Sequence, residues 1–154
     1  HKNADFAPYV MRSADRGATW TSIAGDLPAG GPALSIAEDH VDPNLLFVGT
    51  EFGLYATLDG GKAWQRVRGL PTIPVRDLKI QRREDALVIG TFGRGIYVVD
   101  DYAPLRAEAS LKAKEAAVLP VRPVTLFTPY DGRTGSEGET PFLAPNPPTG
   151  AHFW

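Results

Sequence analysis

Two short runs combine a hydroxyl, a carboxylate, glycine and tryptophan at one spacing: SADRGATW at 13–20 and TLDGGKAW at 57–64. An aspartate in such a run could serve as a catalytic acid, or it could accept backbone N–H groups in a tight turn. The two aspartates lie 44 positions apart, and a pattern that recurs in each repeat is better explained by a recurring turn than by a recurring active site. We therefore predict no catalytic residue here. A structural role, in which each Trp pins its turn onto the sheet, is assigned to Ser13, Asp15, Gly17, Trp20, Thr57, Asp59, Gly61 and Trp64.

Two further turns offer residues that could bind a ligand. Glu51 and Phe52 follow one Gly-Thr pair, and Phe92 and Arg94 follow a second Gly-Thr pair 41 positions later. A carboxylate, a guanidinium and two aromatic rings could hold a sugar acid or a peptide end. The alternative is that Arg94 is a solvated turn residue and that both phenylalanines pack between neighbouring sheets.

The remaining candidates for chemistry favour structural roles. Asp100 and Asp101 would point to opposite faces of a strand, so we expect a strand-end cap rather than a shared proton. The segment 38–42, EDHVD, is interpreted as a turn rather than a cation site. The three histidines have no metal-ligand spacing, and GTFGRG lacks the spacing of a phosphate-binding loop. The sequence therefore predicts no metal site and no cofactor.

Short apolar segments divided by Gly and Pro indicate the elements that position these residues. LLFVGTEFGLYAT aligns with ALVIGTFGRGIYVV, and the spacings of 41 and 44 residues are typical of a four-stranded propeller blade. The predicted fold class is all-β, a partial β-propeller of four-stranded antiparallel blades, with a short helix at 104–117 and an irregular C-terminal tail. Strands are predicted at 9–12, 20–23, 33–39, 45–50, 53–57, 63–67, 75–81, 86–91 and 95–100.

Blade geometry predicts which turns share a face. In a propeller, the turn between the second and third strands lies on the same face as the loop leading into each blade. Glu51, Phe52, Phe92 and Arg94 are then expected to gather near the axis on one face, opposite the repeated Asp turns. This face is the predicted ligand-binding surface.

The expected organisation has three parts. Residues 1–104 comprise the end of one blade, one full blade and most of a third. Residues 105–129 hold the helix and a possible closing strand, VTLF at 124–127. The Gly- and Pro-rich segment at 130–154 is interpreted as a linker or long loop, which would be a linker if another domain follows.

Composition excludes several classes of function. Among 154 residues, 16 Lys and Arg face 18 Asp and Glu, and no basic block indicates nucleic-acid binding. No apolar run is long enough to span a membrane. The absence of cysteine excludes disulfides and thiolate metal sites within these residues.

The repeated runs also resemble a known family. SADRGATW and TLDGGKAW are similar to the Asp-box, or bacterial neuraminidase repeat, in which the motif forms a turn between the third and fourth strands, away from the ligand face. TLDGGKAW departs from the usual pattern with Thr in place of Ser and Ala before Trp. GLPTIPVRDLKI and GTFGRGIYVVDDYAPLR extend the resemblance to bacterial sortilin-like and glycosyl-hydrolase-like repeat proteins, over about residues 1–106. The resemblance implies the C-terminal part of a secreted or periplasmic propeller whose other blades lie elsewhere in the parent chain.

Three functional hypotheses follow. The first is a non-catalytic propeller module that binds or scaffolds a protein, peptide or carbohydrate ligand. The second is a sialidase-like glycoside hydrolase whose catalytic residues lie mostly outside this segment, since glycoside hydrolysis needs two carboxylates across one cleft and only Glu51 is well placed. The third is a self-contained small domain, which would leave sheet edges exposed unless it oligomerises.

Overall fold

The computed structural model describes residues 4–111, 118–119, 123–124 and 126. The chain divides into two compact units, His1–Ala117 and Val118–Trp154, and every element below belongs to the first. The predicted closing strand at 124–127 lies outside the described residues apart from Val124 and Leu126. The predicted linker at 130–154 and the helix beyond residue 111 lie outside them entirely.

The described residues form nine strands and one helix. The elements are β1 (Met11–Arg12), β2 (Thr21–Ser22), β3 (Ala33–Glu38), β4 (Leu46–Thr50), β5 (Gly53–Thr57), β6 (Gln65–Arg66), β7 (Val75–Gln81), β8 (Ala86–Thr91), β9 (Ile96–Val99) and α1 (Leu105–Leu111).

These strands pair into three antiparallel sheets in chain order. Their strand orders are β1-β2, β3-β4-β5-β6 and β7-β8-β9. The fold is thus nearly all β, as predicted, and within the described residues no sheet closes on itself. Strand β6 is shorter than predicted because the backbone N–H of Trp64 donates to the Asp26 carboxylate at 2.6 Å instead of to a neighbouring strand. Among the described residues, no helix has the length and apolar character that a membrane crossing requires.

Strand β4 is buried on both faces, which explains its apolar run Leu46-Phe47-Val48. Phe47 belongs to one core cluster, with Val75 and Ile89 of the three-stranded sheet. Leu46 and Val48, which point the opposite way, belong to a second cluster that includes Val10 and Leu27. The four-stranded sheet is therefore covered on each face by a different part of the chain.

The four-stranded and three-stranded sheets approach closely at Gly49. A Cβ atom at this position would lie 2.6 Å from Cγ1 and from the carbonyl oxygen of Val75, so a side chain is sterically excluded. Beside this contact, the Ser35 hydroxyl donates to the Val75 carbonyl at 3.1 Å. Strands β3 and β4 are thus held directly against the start of β7.

The two repeat-turn tryptophans have different environments. Trp64 is 6% exposed, packs in the cluster with Val10 and Leu27, and donates its indole N–H to the Ile23 carbonyl at 3.0 Å. Trp20 is 60% exposed and donates only to Gly17 of its own turn, at 3.1 Å. Within the described residues no segment covers Trp20 as Ile23 and Leu27 cover Trp64, and the expectation that Trp20 pins its turn onto a sheet stays a prediction.

This contrast predicts unequal effects of one substitution at two equivalent positions. Trp64→Ala removes a buried aromatic side chain and its hydrogen bond, and should lower the free energy of unfolding by about 3–5 kcal/mol. Trp20→Ala is the matched control and should change it by about 0.5 kcal/mol or less. Urea unfolding of both variants checks the prediction, and equal losses would contradict the packing described for Trp64.

Candidate functional site

The two predicted ligand-binding turns begin on either side of one residue, Val75. Thr91, which precedes the β8–β9 turn, pairs with Val75. Gly49, which immediately precedes Thr50 and the β4–β5 turn, lies against Val75. We call the surface formed by residues 51–52, 66–76 and 92–95 the candidate edge.

Phe52 is anchored in the first of these turns but remains 47% exposed. Its ring lies over Gly31, where a Cβ atom would come within 2.9 Å of the ring, so only glycine leaves room for this position. Its carbonyl accepts a hydrogen bond from Arg66 Nη2 at 3.4 Å. The same nitrogen donates to the Thr72 hydroxyl at 2.8 Å, which ties the turn to the loop before β7.

Phe92 is held in the second turn and is 67% exposed. Its backbone N–H donates to the Pro74 carbonyl at 2.9 Å, and the Thr91 hydroxyl donates to the Gly95 carbonyl at 2.6 Å across the turn. The guanidinium carbon of Arg76 lies 5.4 Å from the centre of the Phe92 ring. This is a cation–π contact between an exposed ring and a cation.

The loop before β7 connects the two aromatic residues. Thr72 bonds to Arg66 beside Phe52, while Pro74 bonds to Phe92. Thr72 and Pro74 are two residues apart in sequence, so their Cα atoms are separated by at most about 7 Å. The structure therefore places the surroundings of Phe52 and Phe92 next to each other.

Glu51 and Arg94 are less constrained. The backbone N–H of Glu51 donates to the Pro32 carbonyl at 3.3 Å, and its side chain is half-buried. Arg94 is exposed. Among residues 4–111, the ion pairs do not include either residue, so the structure does not bring them together as a pair.

Arg66 and Arg76 were not among the predicted ligand-binding residues. Arg66 is the last residue of strand β6. A strand of only two residues at the edge of a sheet has no alternating pattern from which the direction of the Arg66 side chain could be predicted. Arg76 sits where the β7–β8 register shifts between Val75 and Asp77. Such a bulge re-aims a side chain in a way that strand alternation does not predict.

Both repeat turns use their aspartate as a hydrogen-bond acceptor. The Asp15 carboxylate accepts from the hydroxyl of Thr19 at 2.6 Å and from its backbone N–H at 2.8 Å. These bonds lower the pKa of Asp15 to about 2. The Asp59 carboxylate accepts from the backbone N–H of Ala63 at 3.0 Å, which likewise lowers its pKa. Carboxylates held in the ionised form have no proton to donate near neutral pH.

A largely buried network of hydrogen bonds and ion pairs lies at the beginnings of β4 and β8. The candidate edge lies at the other ends of these two strands. Asp39 is 3% exposed and accepts from the Tyr102 hydroxyl at 2.7 Å and from Nε and Nη2 of Arg106 at 2.8 Å each. Arg106 also forms two hydrogen bonds to Asp85, at 2.6 and 3.1 Å. We call Asp39, His40, Asp85, Tyr102 and Arg106 the ionic clasp. It joins the β3–β4 turn, the β7–β8 turn and helix α1.

The clasp perturbs the pKa of each of its central members. Burial alone would raise the pKa of Asp39, but hydrogen bonds from Arg106 and Tyr102 outweigh it and hold the pKa well below its usual range. The bonds to Asp39 and Asp85 raise the pKa of Arg106. Burial, together with the adjacent Asp39, raises the pKa of Tyr102. At neutral pH the clasp thus contains an ionised Asp39, a charged Arg106 and a neutral Tyr102.

Three clasp residues have the chemistry of metal ligands. Asp39, His40 and Asp85 each offer one ligand atom, and these atoms lie within 4.8 Å of one another. Arg106 already bonds both carboxylates, so a cation would have to displace the guanidinium. The arrangement therefore works as an ion-pair network that joins secondary-structure elements.

In this region the sequence predicts the local turns but not the contacts between distant residues. The interpretation of 38–42 as a turn fits the bonds from the backbone N–H groups of Val41 and Asp42 to Asp39. In the expected strand-end cap, Asp101 accepts from the backbone N–H of Ala103 at 3.2 Å. The link from Asp39 to Arg106 spans 67 residues, and no local pattern indicates it.

A cavity of about 310 Å³ lies beside strand β6 and the start of α1. Its lining includes the apolar residues Leu58 and Leu105 and the carboxylates Asp59 and Glu108, and it shares Arg66 and Val67 with the candidate edge. Asp59 is already committed to its own turn. The cavity thus offers one uncommitted carboxylate on a largely apolar wall, which is too few for glycoside hydrolysis.

Comparisons with known proteins found partial similarity to fungal enzymes. The chain is 36% identical over 67 residues to a Neosartorya fischeri protein named "Probable oligoxyloglucan-reducing end-specific xyloglucanase", which is 40% of this chain and 8% of that protein. It is 32% identical over 66 residues to a Hypocrea jecorina protein named "Xyloglucanase", which is 38% of this chain and 8% of that protein. No family model matches the chain. The similarity is thus local, and it covers a small part of each relative.

The clasp predicts how stability depends on pH. Because the pKa of Asp39 is lowered in the folded state, its contribution is fully present above the ordinary carboxyl pKa of about 4 and is lost as the pH falls below that value. Arg106→Ala leaves Asp39 buried without its main partner, which should lower the free energy of unfolding at pH 7 by about 3–5 kcal/mol. It should also move the acid-unfolding midpoint to higher pH.

Arg83→Ala is the matched control for this prediction. Arg83 is 83% exposed and pairs with Glu84 at 2.9 Å, so its loss should cost under about 1 kcal/mol and leave the acid midpoint unchanged. Chemical unfolding between pH 2 and pH 8 measures both variants. Equal losses in the two would contradict a stabilising role for the clasp.

Proposed function

We propose that this chain is part of a larger Asp-box β-propeller protein and that it binds carbohydrate through the candidate edge. The observation that supports this function most strongly is that two exposed phenylalanines each lie next to an arginine: Arg66 donates to the Phe52 carbonyl, and Arg76 lies over the Phe92 ring. Sugar rings present apolar C–H faces that pack on aromatic rings, while their hydroxyl groups accept hydrogen bonds from guanidinium groups. The candidate edge offers both kinds of contact side by side.

The propeller interpretation draws on the order of the sheets. Antiparallel sheets follow one another along the chain, the repeat turns recur 44 residues apart, and Gly49 and Val75 pack adjacent sheets face to face. In this proposal the four-stranded sheet is one complete blade, and the two-stranded and three-stranded sheets are parts of its neighbours. Further blades would come from the rest of the larger protein.

The named relatives favour carbohydrate over protein or peptide as the ligand. Both are described as xyloglucanases, and a polysaccharide ligand is consistent with a secreted or periplasmic protein. Because the chain spans only 8% of each relative, the ligand class is proposed here and xyloglucan serves as the first probe.

A second candidate function is glycoside hydrolysis by the larger protein, favoured by the names of the same relatives. Hydrolysis needs two carboxylates about 5–10 Å apart across one cleft. Within the candidate edge, Glu51 is the only carboxylate. A second carboxylate would have to come from another part of the larger protein. Hydrolysis of xyloglucan that is abolished by Glu51→Gln would favour this function over binding alone.

The binding function predicts the effect of removing each ring. Phe52→Ala and Phe92→Ala should each weaken binding of a xyloglucan oligosaccharide about 3- to 10-fold, since one aromatic stacking contact contributes about 0.5–1.5 kcal/mol. Isothermal titration calorimetry with the full chain gives the dissociation constants, and thermal unfolding confirms that each variant is folded.

Trp20→Ala serves as the control for this experiment. Trp20 is an equally exposed aromatic residue outside the candidate edge, so its removal should leave binding unchanged. Unaltered affinity in both folded Phe variants would overturn the proposed function, and no binding of xyloglucan by the wild-type chain would overturn xyloglucan as the ligand.

A further inference from the structure

The candidate edge has a charge opposite to that of the chain as a whole. The full chain has a net charge of −2, whereas segments 51–52, 66–76 and 92–95 contain four arginines and one carboxylate. These charged residues are Arg66, Arg68, Arg76, Arg94 and Glu51. A local surplus of one sign raises the concentration of oppositely charged ligands near a surface.

Two of these guanidinium groups lie next to the exposed phenylalanines, one at the Phe52 backbone and one over the Phe92 ring. Arg66 is held by the Phe52 carbonyl and the Thr72 hydroxyl, and Arg76 lies over the Phe92 ring. Among residues 4–111, the ion pairs do not include either arginine. Their positive charge is therefore not neutralised by a described carboxylate.

We propose that the candidate edge binds an acidic glycan, in which each of the pairs Phe52–Arg66 and Phe92–Arg76 receives one uronic acid residue. This inference rests on the proposed carbohydrate-binding function and narrows its ligand class. In each pair the sugar ring packs on the phenylalanine while its carboxylate accepts hydrogen bonds from the guanidinium.

The geometry of each pair suits a carboxylate-bearing sugar. The Arg76 guanidinium lies over the Phe92 ring, whereas the Arg66 guanidinium bonds the backbone carbonyl of Phe52. A planar guanidinium directs its N–H groups outward in its own plane, where they match the two oxygens of a carboxylate. The Thr72–Pro74 segment contacts both pairs, with at most about 7 Å between the Cα atoms of its ends. In this proposal one oligosaccharide lies along the segment and contacts both pairs.

The matched probes are an oligogalacturonate and its methyl ester, in which each carboxylate is replaced by an uncharged ester with one added methyl group. Wild-type protein should bind the acid about 3- to 10-fold more tightly than the ester, since it gains two charge-assisted contacts that solvent exposure weakens. The preference should shrink as salt is raised, because the arginines are exposed to solvent.

Single variants assign the preference to named residues. Arg66→Gln and Arg76→Gln should each weaken binding of the acid about 2- to 4-fold, as expected for solvent-exposed ion pairs, and leave binding of the ester nearly unchanged. Glu51→Gln should tighten binding of the acid about 2- to 3-fold by removing like-charge repulsion, a small effect at an incompletely buried site. Arg83→Gln, which removes an exposed arginine in the β7–β8 turn, is the control and should change neither affinity. Arg76 has no hydrogen bond that supports the fold among the described contacts, so Arg76→Gln tests the inference even if Arg66→Gln is poorly folded.

The outcomes separate this inference from the function on which it rests. Equal affinity for acid and ester, with xyloglucan binding retained, would overturn the acidic ligand class and leave carbohydrate binding intact. An acid preference that Arg83→Gln reduces as much as Arg76→Gln would overturn the assigned site. Failure to bind any of the three glycans would overturn the proposed function itself.

Discussion

The contact of Gly49 with Val75 determines where the candidate edge lies. Strands β3 and β4 reach the start of β7 only because position 49 has no side chain, and the Ser35 hydroxyl then bonds the Val75 carbonyl beside it. Val75 also pairs with Thr91, so the turns that present Phe52 and Phe92 begin on two sides of the same residue. A larger residue at position 49 would separate the two sheets and, with them, the two aromatic residues.

The ionic clasp holds the same two sheets at their other ends. Asp39 follows β3, Asp85 precedes β8, and Arg106 from helix α1 bonds both. The two sheets are therefore joined at one end by the close contact of the Gly49 backbone with Val75. At the other end they are joined by a buried ion-pair network. Turns mounted on a scaffold fixed at both ends keep a defined geometry, which favours binding because less conformational freedom is lost when a ligand is bound.

The sequence predicted the elements of this fold well because their signals are local. Alternating or continuous apolar segments bounded by Gly and Pro marked β3 through β9, and the repeated Asp runs marked two turns. Contacts between distant segments gave no such signal. The bond of Asp39 to Arg106 spans 67 residues, and the different burial of Trp20 and Trp64 depends on which neighbouring segment covers each ring.

The candidate site shows the same division. Glu51, Phe52, Phe92 and Arg94 could be selected because they follow repeated Gly-Thr pairs. Arg76 reaches Phe92 next to a register shift in β7, and Arg66 reaches Phe52 from the end of a short edge strand. Both positions depend on three-dimensional geometry that residue spacing does not encode.

The central claim, that carbohydrate binds at the candidate edge, is tested most directly by NMR titration of the ¹⁵N-labelled chain with a xyloglucan oligosaccharide and with an oligogalacturonate. The account predicts that the largest shift changes occur at the amides of Phe52, Thr72, Arg76 and Phe92, with little change at Ala56, Leu58 and Leu105 around the cavity beside β6. Changes concentrated at the cavity, with none at the candidate edge, would contradict it.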